Sequence, residues 1–310
     1  MDGYLGQLPQ EMINGLTLGG IYALIAVGYT MVYGILSMLN FAHGEIYMIG
    51  GFAGWWTLDL LTKKHGPLIH AGILILMLIV VAMTVGAFLG MTVERFAYRP
   101  LRKSPRMNLL VSALGVSLFL QAVVLAFHGG GPRFFPAPAL IPESLRIFYL
   151  GNVVISLMRV IVIAASVLLI ALLVVIMKKT SLGKAIRATM QDRAAAMLSG
   201  IDTERMTVIV FLMGSALGGA AGTLAGMLFT QVHYASGLQA GVKGFTAAVL
   251  GGMGNVFGAV VGGIILGLLE ALAAAAFPAA YKDLVAFSVL VLVLVFRPWG
   301  LMGEKPLEKI

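Results

Sequence analysis

The sequence contains no cysteine. That removes disulfides, thiolate metal sites and thiol nucleophiles, without identifying a compartment. It is also poor in charge: 11% of its 310 residues are Asp, Glu, Lys or Arg, against about 25% in a soluble domain. No Lys or Arg falls within the first ten residues, so no cleavable secretory signal is expected. The net charge of +8 does not point to nucleic acid, because the basic residues gather between apolar runs, as they do in the cytoplasmic loops of membrane proteins.

What is present is apolar. Hydrophobic residues make up 60% of the chain and the mean hydropathy is +0.98. Runs of about 20 apolar residues recur, the length a helix needs to cross a bilayer. The short alternating segments of an outer-membrane barrel are missing. The fold class is therefore an all-α polytopic membrane protein, one transmembrane domain over 1–310. Spans are read at 12–39, 40–61, 68–94, 107–128, 152–177, 206–232, 240–253, 254–277 and 280–297.

Of the 21 Lys and Arg residues, 14 lie in three places: Glu94–Arg106, Lys178–Arg205, and the tail from Arg297. The positive-inside rule assigns all three to the cytoplasm. The N-terminus and the Pro-rich loop at 128–151 then fall outside, and nine crossings satisfy the order. If 40–61 or 240–253 is re-entrant, eight remain and the N-terminus moves inside.

The stretch "MLNFAHGEIYMIGG" (Met38–Gly51) places Asn40, His43 and Glu45 beside Gly44, Gly50 and Gly51 between two apolar runs. The halves at 12–128 and 206–297 echo each other. "TLGGIYAL" (Thr17–Leu24) pairs with "ALGGAAGTL" (Ala216–Leu224), and "GEIYMIGGFAG" (Gly44–Gly54) with "GFTAAVLGGMG" (Gly244–Gly254). The assigned orientation makes this repeat inverted. Matched Gly-interrupted segments point to a midplane transport site, although glycines also serve close helix packing in lipid. The pathway candidates are Asn40, His43, Gly44, Glu45, Gly50, Gly51, Lys243, Gly244, Gly251, Gly252 and Glu270, with the glycines opening the backbone. Lys243 falls near the position of Glu45 in the repeat, so the two segments offer opposite charges. Glu270 lies inside a span, where a carboxylate costs ~2.5–3.5 kcal/mol, and so must face protein or water.

No ATP-binding loop is present, since "SLGKA" (Ser181–Ala185) lacks both the upstream glycine and the Ser or Thr after Lys184. The five histidines never take helical ligand spacing with a carboxylate. No metal site and no catalytic constellation is read. In the segment at 180–203, Leu182, Ile186, Met190, Met197 and Ile201 follow helical spacing. Such an amphipathic helix buries its apolar face either at the lipid interface or in a groove of a cytoplasmic partner.

The chain resembles permease subunits of bacterial ABC transporters for branched-chain amino acids, and is closest to the first of the two permeases of that system. "LTLGGIYALIAVGYTMVYGILSMLNFAHGEIYMIGGF", "SLGKAIRATMQDRAAAMLSGID", "GGMGNVFGAVVGG" and "YKDLVAFSVLVLVLVFRPWGLMG" carry the likeness over most of the sequence. The resemblance implies a heterodimer with a second permease, two cytoplasmic ATPase subunits that bind ATP and Mg, and an external substrate-binding protein. It implies a bacterial inner membrane with the C-terminus cytoplasmic. No cofactor is expected on this chain. The segment at 180–203 becomes the coupling helix, with Leu182, Ile186, Met190, Ala195, Ala196, Met197, Gly200 and Ile201 as contacts. Its "AAAMLSG" (Ala194–Gly200) departs from the importer pattern Glu-Ala-Ala-x-x-x-Gly by Ala194 in place of Glu. The function implied is alternating-access import of leucine, isoleucine and valine. A related permease for urea or short amides, and a self-contained ion-coupled carrier, are the alternatives.

Overall fold

The structure, a computed structural model, describes residues 2–65, 71–102, 104–136, 141, 146–150, 153–278 and 281–303. Much of the Pro-rich segment and the last residues of the basic tail lie outside that set. The helices are α1 (Asp2–Leu36), α2 (Ala42–His65), α3 (Ala71–Val93), α4 (Arg106–His128), α5 (Leu157–Lys179), α6 (Ser181–Gln191), α7 (Arg193–Leu198), α8 (Thr203–Phe229), α9 (Ser236–Gly251), α10 (Val256–Ala276) and α11 (Lys282–Phe296). Six stretches are long and apolar enough to cross a membrane: Leu8–Leu36, Ala71–Leu101, Met107–His128, Leu157–Lys179, Thr203–Phe229 and Val256–Ala276. The chain is an all-α, multi-pass membrane protein. Its few strands are short: β1 (Arg133–Phe134) pairs with β4 (Gln231–Val232), and β2 (Ile147–Leu150) with β3 (Val153–Ser156), all antiparallel.

These contacts define two faces. On the strand face, β1 meets β4, the Trp55 indole N–H donates to the Phe134 carbonyl at 2.9 Å, and the Val154 amide donates to Gln10 at 2.8 Å. On the opposite, basic face, Arg102 bonds both Glu94 and Glu204, Arg193 joins Glu204, and the Met302 amide donates to the Gly251 carbonyl at 3.0 Å. Two of the basic loops inferred from the sequence thus share one ion-pair network. The C-terminal segment sits on the same face through Lys178, whose ammonium lies 4.9 Å from the Phe257 ring near Met302.

Helix α1 runs from the strand face to the basic face, where Gly34 abuts Met190. Helix α2 returns, starting beside Tyr98, whose hydroxyl donates to Asn40 at 2.7 Å, and reaching the strand face at Trp55. Helix α9 leaves β4 and ends at Gly251 against the C-terminal segment. Both segments of doubtful reach therefore pass from face to face. Helices α1 and α8 pass between the faces in opposite directions. The expected single helix at 180–203 is instead α6 and α7, broken at Asp192 (φ −151°, ψ 108°), which caps α7 by accepting from the amides of Ala194 and Ala195.

Close approach of backbones holds the centre together. In lipid, small residues let helices touch where no hydrophobic force drives them together. Gly15 and Gly19 of α1 face Gly263 and Gly267 of α10, and a Cβ on Gly19 would stand 2.8 Å from the Ile264 Cα. Helix α8 carries Gly214, Gly218, Gly222 and Gly226 at four-residue spacing, against α1, α2 and Phe135. The centre is accordingly α1 and α8, whose most apolar stretches are 78% and 72% buried, whereas α4 and α5 lie outside at 28% and 22%.

The glycine breaks expected from the sequence are only partly present. Gly44, Gly50 and Gly51 lie within the uninterrupted α2, and Gly244 within α9. They are packing positions: Gly44 lies on Gly237 and Gly241, Gly50 on Gly219, Gly51 on Gly222, and Gly244 on Ile25. The real break before α2 is at residues 37–41, where Ser37 takes φ 52°. At the other end of the pair a glycine break does occur. Helix α9 stops at Gly251, and Gly252 (φ 107°) and Gly254 (φ 92°) turn the chain into α10 through conformations that a side chain would strain.

Candidate functional site

A cavity of about 550 Å³ lies among α1, α2, α8, α9, α10 and the start of α11. Gln231, Val232 and His233 of the strand face line one part of it, and the Asp283 side chain there is 59% exposed. The cavity thus opens on the strand face. Its walls are mixed. Leu18, Ile21, Met48, Ala225 and Val232 give an apolar side, and Tyr22, Gln239, Lys243, Glu270 and Asp283 a polar one.

The polar side is one network. The Lys243 ammonium on α9 donates to Glu270 Oε1 on α10 at 2.7 Å and pairs with Asp283 Oδ1 on α11 at 3.0 Å. The Tyr22 hydroxyl on α1 donates to the other Glu270 oxygen at 2.7 Å. The ammonium also lies 5.9 Å from the Tyr22 ring centroid. The cost of a carboxylate within a span is met here by two partners at a cavity wall, as expected of an intramembrane charge. Chemically, the wall presents one ammonium between two carboxylates, opposite apolar side chains. Such a surface can hold a small molecule that carries charges of both signs and an apolar body.

Lys243 and Glu270 are the predicted residues that the fold brings together, and Gly51 lines the same cavity. The opposite charges that the two repeat segments offer, Lys243 and Glu45, find different partners. Glu45 is buried in α2, where its Oε1 accepts from Ser117 of α4 at 3.0 Å and its Oε2 faces the backbone at Gly237 without a donor. His43, also fully buried, sits edge-on to Tyr29 with ring centroids 4.8 Å apart and packs on Gly28 and Gly218. Its ring nitrogens form no well-shaped hydrogen bond. Asn40 is buried with its amide nitrogen unpartnered. These three polar side chains form a layer between cavity and basic face and do not line the cavity. Gly251 and Gly252 lie on the basic face, against Gly258 and Gly303.

Two contributors escaped the sequence reading, Tyr22 and Asp283. Asp283 had one available signal, an acid in the first turn of the last span. Tyr22 had none beyond being a hydroxyl in an apolar helix.

On the basic face the predicted coupling residues divide. Ile186 is buried, Leu182 and Met190 are half-buried, and all turn back onto the bundle. Ala196 is buried and Ile201 half-buried. Ala195, Met197 and Gly200 are exposed, and Met197 is joined by Leu198, which is 91% exposed and was not singled out. The apolar surface left open is therefore the tip of α7.

Residues 11–294 match the family described as "Branched-chain amino acid transport system / permease component". The chain is 40% identical over 304 residues to the high-affinity branched-chain amino acid transport system permease protein BraD of Pseudomonas aeruginosa, covering 97% of each chain. It is equally similar, 40% over 304 residues and 97% of each, to the permease protein LivH of Escherichia coli K12. A probable branched-chain amino acid transport permease protein of Methanocaldococcus jannaschii is 26% identical over 316 residues, covering 96% of this chain and 94% of the other. With nearly its whole length matched, the chain belongs to the family of permease components of branched-chain amino acid transport systems.

Proposed function

We propose that this chain is the membrane-spanning permease subunit of an ATP-driven importer, and that with a second, related permease it forms the pathway for leucine, isoleucine and valine. It is a transport subunit and not an enzyme. The observation that carries the reading is the end-to-end match to permeases whose names specify branched-chain amino acids, joined to the cavity described above.

A zwitterionic amino acid needs a partner for each charge. In the structure Lys243 pairs with both Glu270 and Asp283. An entering amino acid exchanges these pairs for its own: its carboxylate takes the Lys243 ammonium, and its ammonium takes the released carboxylates. Its branched side chain then lies against Met48, Ala225 and Val232. The exchange keeps every charge paired, which avoids the several kcal/mol that a lone buried ion costs.

The basic face is the cytoplasmic face of a bacterial inner membrane by the positive-inside rule, which puts the cavity mouth outside, where a binding protein delivers substrate. The sequence has no phosphate-binding loop, so ATP and Mg are bound by two partner ATPases. The exposed Met197 and Leu198 of α7 insert into a groove on one of them. ATPase closure shifts α7, and the packed layer of α2, α8 and α9 below the cavity opens in response. The inverted repeat, with α1–α2 and α8–α9 traversing in opposite senses, fits this alternating access.

Reconstitution tests the reading. Proteoliposomes that hold this chain, the second permease, both ATPases and the binding protein take up leucine only with ATP, and excess valine competes where urea does not. Competition by urea assigns the amide branch of the family. Uptake by this chain alone, following a proton or sodium gradient, contradicts the proposal.

A further inference from the structure

Two further cavities lie apart from the cavity that holds Lys243. One, of about 490 Å³, sits on the basic face between the end of α5, α6 and the α9–α10 turn. Its polar lining is Lys178, Arg187, Gln191 and Asn255, and no carboxylate lines it. Arg187 spends one N–H on the Met177 carbonyl, and Lys178 stands over the Phe257 ring. Neither has a carboxylate partner among the described residues. The nearby Asp192 carboxylate is engaged by the amides that open α7. Asn255 likewise caps α10, accepting from the amides of Phe257 and Gly258.

The other, of about 350 Å³, is a slot of almost pure hydrocarbon character between α5, α1 and α10. It uses one face of α5, from Ile163 through Ser166 and Ile170 to Val174, and its floor includes Gly20 and Ala23. Val174 and Phe257 line both cavities, so the two form one groove with a cationic head and an apolar stem. Val174 lies eleven positions after Ile163, which at 1.5 Å per residue makes the stem roughly 16 Å long. That is about half the ~30 Å hydrocarbon core, the depth of one leaflet. Helix α5 is the least buried of the long helices, so the slot faces the bilayer.

We propose that this groove binds one anionic phospholipid of the basic-face leaflet. The lipid phosphate lies between Lys178 and Arg187, and one acyl chain fills the slot along α5. Basic pockets between spanning helices suit anionic headgroups in this way, and a zwitterionic lipid of equal chain length supplies the stem without the net charge. The site is separate from α7, since neither Met197 nor Leu198 lines it.

Native mass spectrometry of the purified full chain tests this, titrated with dioleoyl phosphatidylglycerol, with dioleoyl phosphatidylcholine, or with inorganic phosphate. The expected result is a single retained phosphatidylglycerol with about tenfold tighter apparent binding than phosphatidylcholine. K178Q/R187Q brings the two lipids level, whereas K179Q, an exposed neighbour outside the pocket, changes nothing. A171W, at an exposed slot position, weakens both lipids. Equal binding of the two lipids by the unmodified chain overturns the proposal, as does K178Q/R187Q behaving like K179Q. Displacement of the lipid by inorganic phosphate alone also overturns it, by assigning a free-anion site.

Discussion

Lys243 on α9 reaches Glu270 on α10 with its ammonium 2.7 Å from Oε1, and the same ammonium holds Asp283 of α11 at 3.0 Å. One cation thereby ties together three consecutive helices at the wall of the candidate cavity. A buried pair of this kind contributes little against a hydrophobic replacement, but losing one partner is costly.

The pair therefore behaves as a unit. K243M leaves Glu270 with only the Tyr22 hydroxyl, and E270L leaves Lys243 with the exposed Asp283. Each single variant is expected to lose about 2–3 kcal/mol of stability. The double variant K243M/E270L is expected to lose less than the sum of the two single losses, by a coupling of about 1–2 kcal/mol. Detergent-solubilised thermal unfolding of the four proteins measures it, and strictly additive losses would refute the pairing.

Backbone contact makes a second prediction. A Cβ on Gly222 would collide with the Tyr47 carbonyl and the Gly51 amide, whereas Gly115 on α4 has open space. G222A is expected to cost about 1–3 kcal/mol, the range for overpacking, and to lower the amount of protein that accumulates in the membrane. G115A is expected to match the parent chain in both respects. Equal accumulation of the two variants would show that α2 and α8 do not approach so closely.

The coupling segment separates docking from packing. M197D and L198D place charge on the exposed tip of α7, and are expected to leave insertion intact while abolishing ATP-driven uptake and co-purification of the ATPases. I186D buries a charge within the bundle and is expected to destabilise the chain itself. D192A removes the cap of α7 and is expected to cost about 1 kcal/mol, weakening coupling without destroying the fold. Co-purification and membrane yield, measured side by side, distinguish these effects.

The ion-pair network on the basic face gives a fourth. Arg102 is the partner of Glu94, which is 1% exposed. R102M is expected to destabilise by about 3 kcal/mol, because an uncompensated carboxylate remains buried. E94Q placed in the same chain is expected to restore stability. Failure of E94Q to rescue R102M would assign Arg102 a different role.

Membrane class, helix positions and the distribution of basic loops were legible because they rest on lengths and averages. A bilayer demands about 20 apolar residues per crossing, and the chain meets that demand run after run. The site was legible only in part. Lys243 and Glu270 announced themselves as charges among apolar residues, but their mutual contact depends on the packing of α9 on α10, which no spacing in sequence encodes. The repeat offered Lys243 and Glu45 as opposite charges on matched segments, without naming a partner for either. Tertiary packing gave Glu45 to Ser117 and Lys243 to Glu270. The glycines misled for a similar reason. A glycine that permits a break and one that permits contact look the same in sequence, and only Gly251–Gly254 of the pair serves as a break. Likewise the spacing of Leu182, Ile186 and Met190 revealed an apolar face, but not that the bundle itself would cover it and leave Met197 and Leu198 outside.

The most direct test concerns Lys243, on which the exchange of ion pairs turns. The measurement is the initial rate of ATP-driven leucine uptake into proteoliposomes with K243Q or the unmodified chain, with binding-protein-stimulated ATP hydrolysis followed in the same vesicles. The account predicts that K243Q loses uptake by at least tenfold while the stimulated hydrolysis persists, since the pathway has lost its cation but the coupling through α7 has not. Uptake by K243Q at the unmodified rate would contradict it.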